Sequence, residues 1–327
     1  MTALGEGRLA RIALGAALAL GAIALALLGA ARGDSGDAGA AAPSAAADGA
    51  AAQGDPAARG QQPRRELPRG GRSVLPQYRP IGFYGAPQSP ELGELGIGTP
   101  ESAARRLRKQ IRPYKGLAKK PIYPVFELLG TIALAGPGAD GLYRARQPNR
   151  IIRRYAKVAR KQRFLLLLDI QPGRARFIDE VKHLRKWLKR PYVSVALDPE
   201  WNMGRHGVPG ERIGSVHAGM INRVTLYLNR LIRRHRLPDK LVVVHQFTDS
   251  MIRDKHKLKR RRYVDLVLNA DGFGTPGQKR AKYKELAPPK NSWMRPGFKL
   301  FYKEDTNLMS PREVMRLRPR PAFVVYE

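Results

Sequence analysis

From residue 80 onward two rhythms alternate along the chain. Short apolar runs recur: "IGFYG" (81–85), "YPVFELLG" (123–130), "FLLLLDI" (164–170), "YVSVALD" (192–198), "LVVVHQF" (241–247), "VDLVLNAD" (264–271), "FKLFYKE" (298–304) and "AFVVYE" (322–327). They are apolar at successive positions, as strands covered on both faces are. Longer charged stretches of helical period lie between them. "TPESAARRLRKQI" offers Thr99 as cap and Pro100 in the first turn. "NRIIRRYAKVARKQ" aligns Ile152, Tyr155, Ala156 and Ala159, and "RFIDEVKHLRKWLKR" aligns Phe177, Val181, Leu184 and Leu188. "VHAGMINRVTLYLNRLIRRH" is the longest, and "SPREVMRLR" carries Ser310, Pro311 and Glu313 in the positions of a capped start. Such alternation predicts βαβ units and a parallel sheet. Eight strands in roughly 250 residues is the count and size of a (β/α)8 TIM barrel. An open doubly wound sheet has less support, because "YGAPQSPELGELGIG" does not open a helix with Gly-x-Gly-x-x-Gly. The fifth connection is short and very basic, so its helix is weakly encoded, and no helical stretch comes after the eighth run.

The first 79 residues lack this rhythm. Residues 12–31 are uncharged, with Arg8 and Arg11 before them and Asp34 and Asp37 after. Twenty such residues span about 30 Å as a helix, enough to cross a bilayer. The charge order predicts export of the remainder of the chain, and Gly29 and Ala31 also suit a signal-peptidase site. Residues 1–32 are therefore expected to be a signal peptide or a membrane anchor, with both open. Residues 33–79 are rich in Ala, Gly, Pro, Ser and Gln and read as a disordered linker, with ends roughly 35–40 Å apart. That leaves 80–327 as the barrel domain, secreted or anchored facing outside. There is no cysteine, so disulfides, thiol nucleophiles and thiolate metal sites are excluded.

Charge changes the expected partner. Lys and Arg number 60 against 27 Asp and Glu, a net +33, and residues 81–327 hold 51 of those bases and 21 of the acids. Basic clusters at 105–120, 150–163, 182–190 and 253–262 fall in helical or loop stretches and suggest a polyanionic setting. For an exported chain that means a cell-envelope polysaccharide or an anionic wall polymer in preference to nucleic acid. The membrane would be a further partner if residues 1–32 stay attached.

The acids are distributed differently. In a barrel of this kind the site forms at the carboxyl ends of the strands. There the sequence places Glu127, Asp169, Asp198, Glu200, Asp271, Glu304, Asp305 and Glu327, with His245, Gln246 and Lys303 among them. In "VSVALDPEW" (193–201) two carboxylates stand one residue apart. An extended chain would turn both to the same side, with α-carbons about 6.5–7 Å apart. Close carboxylates raise each other's pKa, so one can stay protonated as a general acid. Glycosidic cleavage needs that pairing. Trp201 and Tyr84 could stack on sugar faces, Gln171 and Gln246 could bind hydroxyls, and Asp198 and Glu200 could instead pair with Arg174, Arg205 or Lys303. The six histidines show no zinc-site spacing. No cofactor is called for, although Asp169, Asp198, Glu200, His245 and Asp271 leave Mg²⁺ or Ca²⁺ open.

An Asp-x-Glu ending the fourth strand resembles the family 18 chitinases and family 25 muramidases of the TIM-barrel glycoside hydrolases. The resemblance implies Glu200 as proton donor and Asp198 as the carboxylate that assists it, often by steering the substrate's N-acetyl group. Where family 18 has two further aspartates upstream, this chain has Ala196 and Val193. Where family 25 has an aspartate ending the first strand, it has "GFYG". Three functions are expected in order: a hydrolase of an amino-sugar polymer, a barrel that binds wall glycan or anionic polymer without cutting it, and an anchored module for nucleic acid or protein.

Overall fold

The computed structural model describes residues 64–327. Its barrel strands are β1 (Arg79–Gly85), β2 (Ile122–Ala133), β3 (Leu165–Ile170), β4 (Val193–Leu197), β5 (Lys240–Gln246), β6 (Val264–Ala270), β7 (Arg295–Leu300) and β8 (Phe323–Tyr326). Each pairs in parallel with the next, and β1 pairs with both β2 and β8, so the sheet closes into an eight-stranded barrel. Outside it lie α1 (Pro100–Gln110), α2 (Asn149–Gln162), α3 (Phe177–His183), α4 (Ala218–His235), α5 (Pro276–Leu286) and α6 (Pro311–Arg316). The core is continuous between wall and helices. Ile152, Tyr155, Ala156 and Ala159 of α2 pack there, as do Phe177 and Val181 of α3.

The helix starts obey their capping chemistry. Thr99 accepts from the Ser102 amide, and Ser310 and Glu313 close a reciprocal capping box. Helix α5 is the one the apolar pattern misses, since eight of its eleven residues are polar or Gly/Pro and four of those are basic. Its usable signature is the box formed by Thr275 and Gln278 around Pro276. Between β5 and β6 there is no α-helix, only short 3-10 turns at Asp249–Met251 and Lys255–Lys257. The segment "RDKHKLKRRR" has too few apolar side chains to hold one against the barrel. Strand β7 stops at Leu300 and not at residue 304, because the Asp305 carboxylate takes the Phe301 amide (3.0 Å) and turns the chain out of the ladder.

The expected linker reached residue 79, but residues 64–78 form a strap beneath the barrel. Leu67, Val74 and Leu75 are buried. Arg72 Nη2 donates to the Leu237 carbonyl (2.7 Å), the Asp239 amide donates to the Arg72 carbonyl (2.7 Å), and the Leu75 amide donates to Asp265 Oδ2 (3.3 Å). Those partners sit at the amino ends of β5 and β6, so the strap closes the end opposite the candidate site. The expected signal or anchor helix and the rest of the linker lie outside the described residues. No described helix is long and apolar enough to cross a membrane.

The strap makes stability pH-dependent. Burial pushes the Asp265 carboxyl up to about 6, against the Leu75 amide that favours its charge. The folded state therefore holds this proton more tightly than the unfolded chain, where an aspartate titrates near about 3.9. The stability this proton supplies is present in mild acid and is lost as pH rises from about 4 to about 6. Urea midpoints measured across that range should fall with rising pH, and the slope should be shallower in Asp265→Asn. An unchanged slope would assign the effect elsewhere.

Candidate functional site

Pairing places one side chain from nearly every strand inside the upper barrel. Tyr84 is level with Glu127, Asp169 with Ala196, and His245 with Asn269. Side chains alternate along a strand, so these interior positions are succeeded, two residues on, by Asp198 after β4 and Asp271 after β6. Gly297 leaves the room this needs, since a Cβ there would collide with Asn269 Oδ1.

Three linked arrangements fill the layer. In the first, His245 is clamped between two acids: Nε2 lies 3.0 Å from Glu127 Oε1 and Nδ1 lies 2.8 Å from Asp271 Oδ2. Asn269 Nδ2 donates to the other oxygen of Asp271 (2.5 Å). Burial alone would strip the imidazole of its proton, but the two carboxylates outweigh it and hold the pKa well above the usual histidine range. At neutral pH this is an imidazolium.

In the second, the Tyr84 hydroxyl donates to Asp169 Oδ2 (3.0 Å), and Gln171 Nε2 reaches the Tyr84 hydroxyl (3.3 Å) and Asp198 Oδ2 (3.5 Å). Burial and the neighbouring Glu127 charge push Asp169 up to about 6, against the pull of His245 and Lys299. In the third, the buried Lys299 ammonium pairs with Glu327 Oε2 (2.5 Å), lies 3.7 Å from Asp271 Oδ2, and sits 3.8 Å from the centre of the Tyr84 ring. Burial opposes its charge, yet Glu327, Asp271 and Asp198 together keep it firmly protonated. A buried pair behind it, Lys279 with Asp305 (3.0 Å), also ties down the Gly272 and Lys299 carbonyls.

Asp198 and Glu200 lie among these charges, and strand alternation accounts only for the first of them. Strand β4 ends at Leu197, Asp198 precedes the turn, and Pro199–Trp201 is a 3-10 turn. Pro199 has no amide to continue the ladder. The turn is locked by the next loop: the Gly214 amide donates to the Glu200 carbonyl (2.6 Å), and Asn202 Nδ2 donates to the Ser215 carbonyl (2.7 Å). A Cβ at residue 214 would meet the Pro199, Glu200 and Asn202 carbonyls within 2.7 Å, so only glycine allows this closure. Burial, then the charges of Glu200 and Asp169, raise the Asp198 carboxyl well above the carboxylate range. Burial, then Asp271 and Glu327, push Glu200 up to about 7, against the pull of Lys299 and His245. Glu200 is only half-buried, and its carboxylate has no hydrogen bond or ion pair among the described residues.

The structure thus gathers Tyr84, Glu127, Asp169, Gln171, Asp198, Glu200, His245, Asp271 and Glu327. Four residues expected with them lie elsewhere or are otherwise engaged. Gln246 faces out of the barrel, one position past His245, and donates to the Leu286 carbonyl (3.1 Å). Lys303 is beyond the end of β7, exposed, and paired with Glu91 (2.8 Å). Asp305 is taken up by Lys279, and Trp201 is buried in its turn. The alternative ion pairs for Asp198 and Glu200 do not form, as Arg174 bonds the Gly207 and His206 carbonyls and covers the Tyr143 ring (3.8 Å). Lys299 and Asn269 are site residues that sequence reading missed. Their signal was a polar residue inside an otherwise apolar strand.

Among the described residues no group of three or more His, Asp or Glu is arranged to hold a metal ion. The ammonium and imidazolium occupy the space between the acids. What the layer can do is hold a proton on the Asp198–Glu200 couple at neutral pH and offer it at the half-buried Glu200. No protein-family model matches the chain, and no curated protein is similar enough to be counted a relative.

Proposed function

We propose that the barrel is an exported hydrolase of an amino-sugar polymer of the cell envelope, with Glu200 as general acid and Asp198 as assisting carboxylate. The observation that carries this is the state of Glu200: half-buried, free of any fixed partner, and titrating at about 7 beside a second carboxyl pushed the same way. A general acid works best with a pKa near the operating pH. Glu200 would protonate the glycosidic oxygen as the bond breaks. Asp198, held by Gln171, would orient the substrate's N-acetyl group through a hydrogen bond. The imidazolium and ammonium deeper in the barrel keep Asp271 and Glu327 compensated, so that Glu200 does not rise further. The rate should be flat in mild acid and fall as pH rises through about 7, where Glu200 loses its proton. Reducing ends released from N-acetylated wall glycan by the full chain, tracked from pH 4.5 to 9, test both activity and sign.

One observation counts against sugar stacking at the mouth. Tyr84 and Trp201, expected as sugar platforms, are only 4% and 5% exposed. Glycan retained by the protein with no reducing ends released at any pH would instead mark a barrel that binds wall glycan or anionic polymer without cutting it.

A further inference from the structure

A second concave feature lies on the outer wall. Helix α2 lines a cleft of about 470 Å³ with Arg153, Lys157, Arg160 and Lys161, and Arg190 and Tyr192 form its other side. Residues 190–192 lead directly into β4, so the cleft is at the amino ends of the strands, away from Glu200. None of its five cations has an acidic partner among the described residues. Arg190 is held in place: it donates to the Tyr192 hydroxyl (3.2 Å), lies over the Trp187 ring (4.6 Å), and its carbonyl takes a bond from the buried Lys240 ammonium (2.6 Å). On α2 the like charges at 153/157 and 157/161 stand one turn apart, a spacing at which they repel. Nothing among the described residues offsets that repulsion, whereas an anion laid along the helix would.

We propose that this cleft binds a phosphodiester polyanion of the polyol-phosphate kind, independently of any chemistry at the barrel mouth. The cations run for roughly 12 Å along α2, eight residues at about 1.5 Å each, which suits a chain of repeated charges better than a single ion. Three of the five are arginines, whose planar forks match phosphate oxygens two at a time. The concave shape suits one flexible strand and not a flat bilayer. Nucleic acid is disfavoured because single strands are held by bases stacking on open aromatic rings. The aromatic rings here are closed: Tyr192 is 5% exposed with its hydroxyl donated to the Ala156 carbonyl (3.2 Å), and Trp187 is 3% exposed beneath Arg190 and Lys186.

The test uses the full chain and a fluorescent glycerol-phosphate oligomer, read by anisotropy at several salt concentrations. The triple variant Arg153→Gln, Lys157→Gln, Arg160→Gln should bind at least tenfold more weakly at low salt. Its log–log salt slope should be shallower by about 2, at about 0.7 for each phosphate of a single strand that is no longer neutralised. Its melting temperature should not drop, because these side chains support nothing else, and any glycan cleavage should be unchanged. The control triple Arg223→Gln, Lys259→Gln, Arg260→Gln removes the same charge from another face and should bind as the parent does. Equal weakening in the control would reduce the effect to overall charge and overturn the proposal. So would an oligothymidylate of the same charge binding more tightly than the oligomer, anionic vesicles competing better than the free polymer, or no binding by the parent protein.

Discussion

Glu200→Gln is expected to cost about 10²–10⁴-fold in glycan cleavage, the range for removing a positioned general acid, without weakening the fold. Glutamine keeps the shape and loses the proton. It also removes a charge that Asp271 and Glu327 repel, so the variant should melt at the parent temperature or slightly above. Asp198→Asn should be the less damaging change, since that carboxyl assists and does not deliver. Reducing-end release and thermal unfolding on the same preparations decide the matter. Full activity in a well-folded Glu200→Gln protein would remove the residue from the mechanism. Inactivity with a collapsed melting transition would show that its role is structural.

The largest effect on stability is expected from Lys299→Met. The ammonium is 7% exposed and is the counter-charge for Glu327 and Asp271. Removing one member of a buried ion pair typically costs about 3–5 kcal/mol, because the partner is left charged and dry. Here two acids would be left, with His245 the only other cation within reach of Asp271 among the described residues. The double variant Lys299→Met, Glu327→Gln should recover part of the deficit by discharging one of them. Urea unfolding gives both numbers. A cost below about 1 kcal/mol would mean that water reaches the acids and that the layer is wetter than its burial implies.

The eight strands were legible because a barrel strand is covered inside and out, so its residues are apolar almost without interruption. That reading faltered where the cue was mixed. In "RPGFKLFYKE" the Pro296–Gly297 pair reads as a break and the later aromatics read as a continuation, so the register of β7 came out late and Lys299 was passed over for Lys303. Helix α5 escaped because basic residues occupy the turns that usually show apolar spacing. The acidic rim was legible from strand ends alone, but which acids face inward needed register: His245 and Gln246 are neighbours in the chain and opposite in space. Glu200 was paired with Asp198 by a rule that does not apply to a residue in a 3-10 turn. A turn closed by Gly214, from a loop with no periodic signal, brings the two carboxyls together.

The strap under the barrel also has a bearing on how the protein is made. Leu75 leaves the ribosome early, yet the carboxylate that receives its amide is 190 residues further along, and β1 must wait for Phe323–Tyr326 before its second edge is covered. Both the floor and the last seam of the structure therefore join the opening of the domain to its late segments. A nascent chain that stalls before residue 323 exposes a bare strand edge, and such an edge pairs readily with other chains. Contacts of such sequence separation form slowly, so closure of the barrel should wait for synthesis through residue 326.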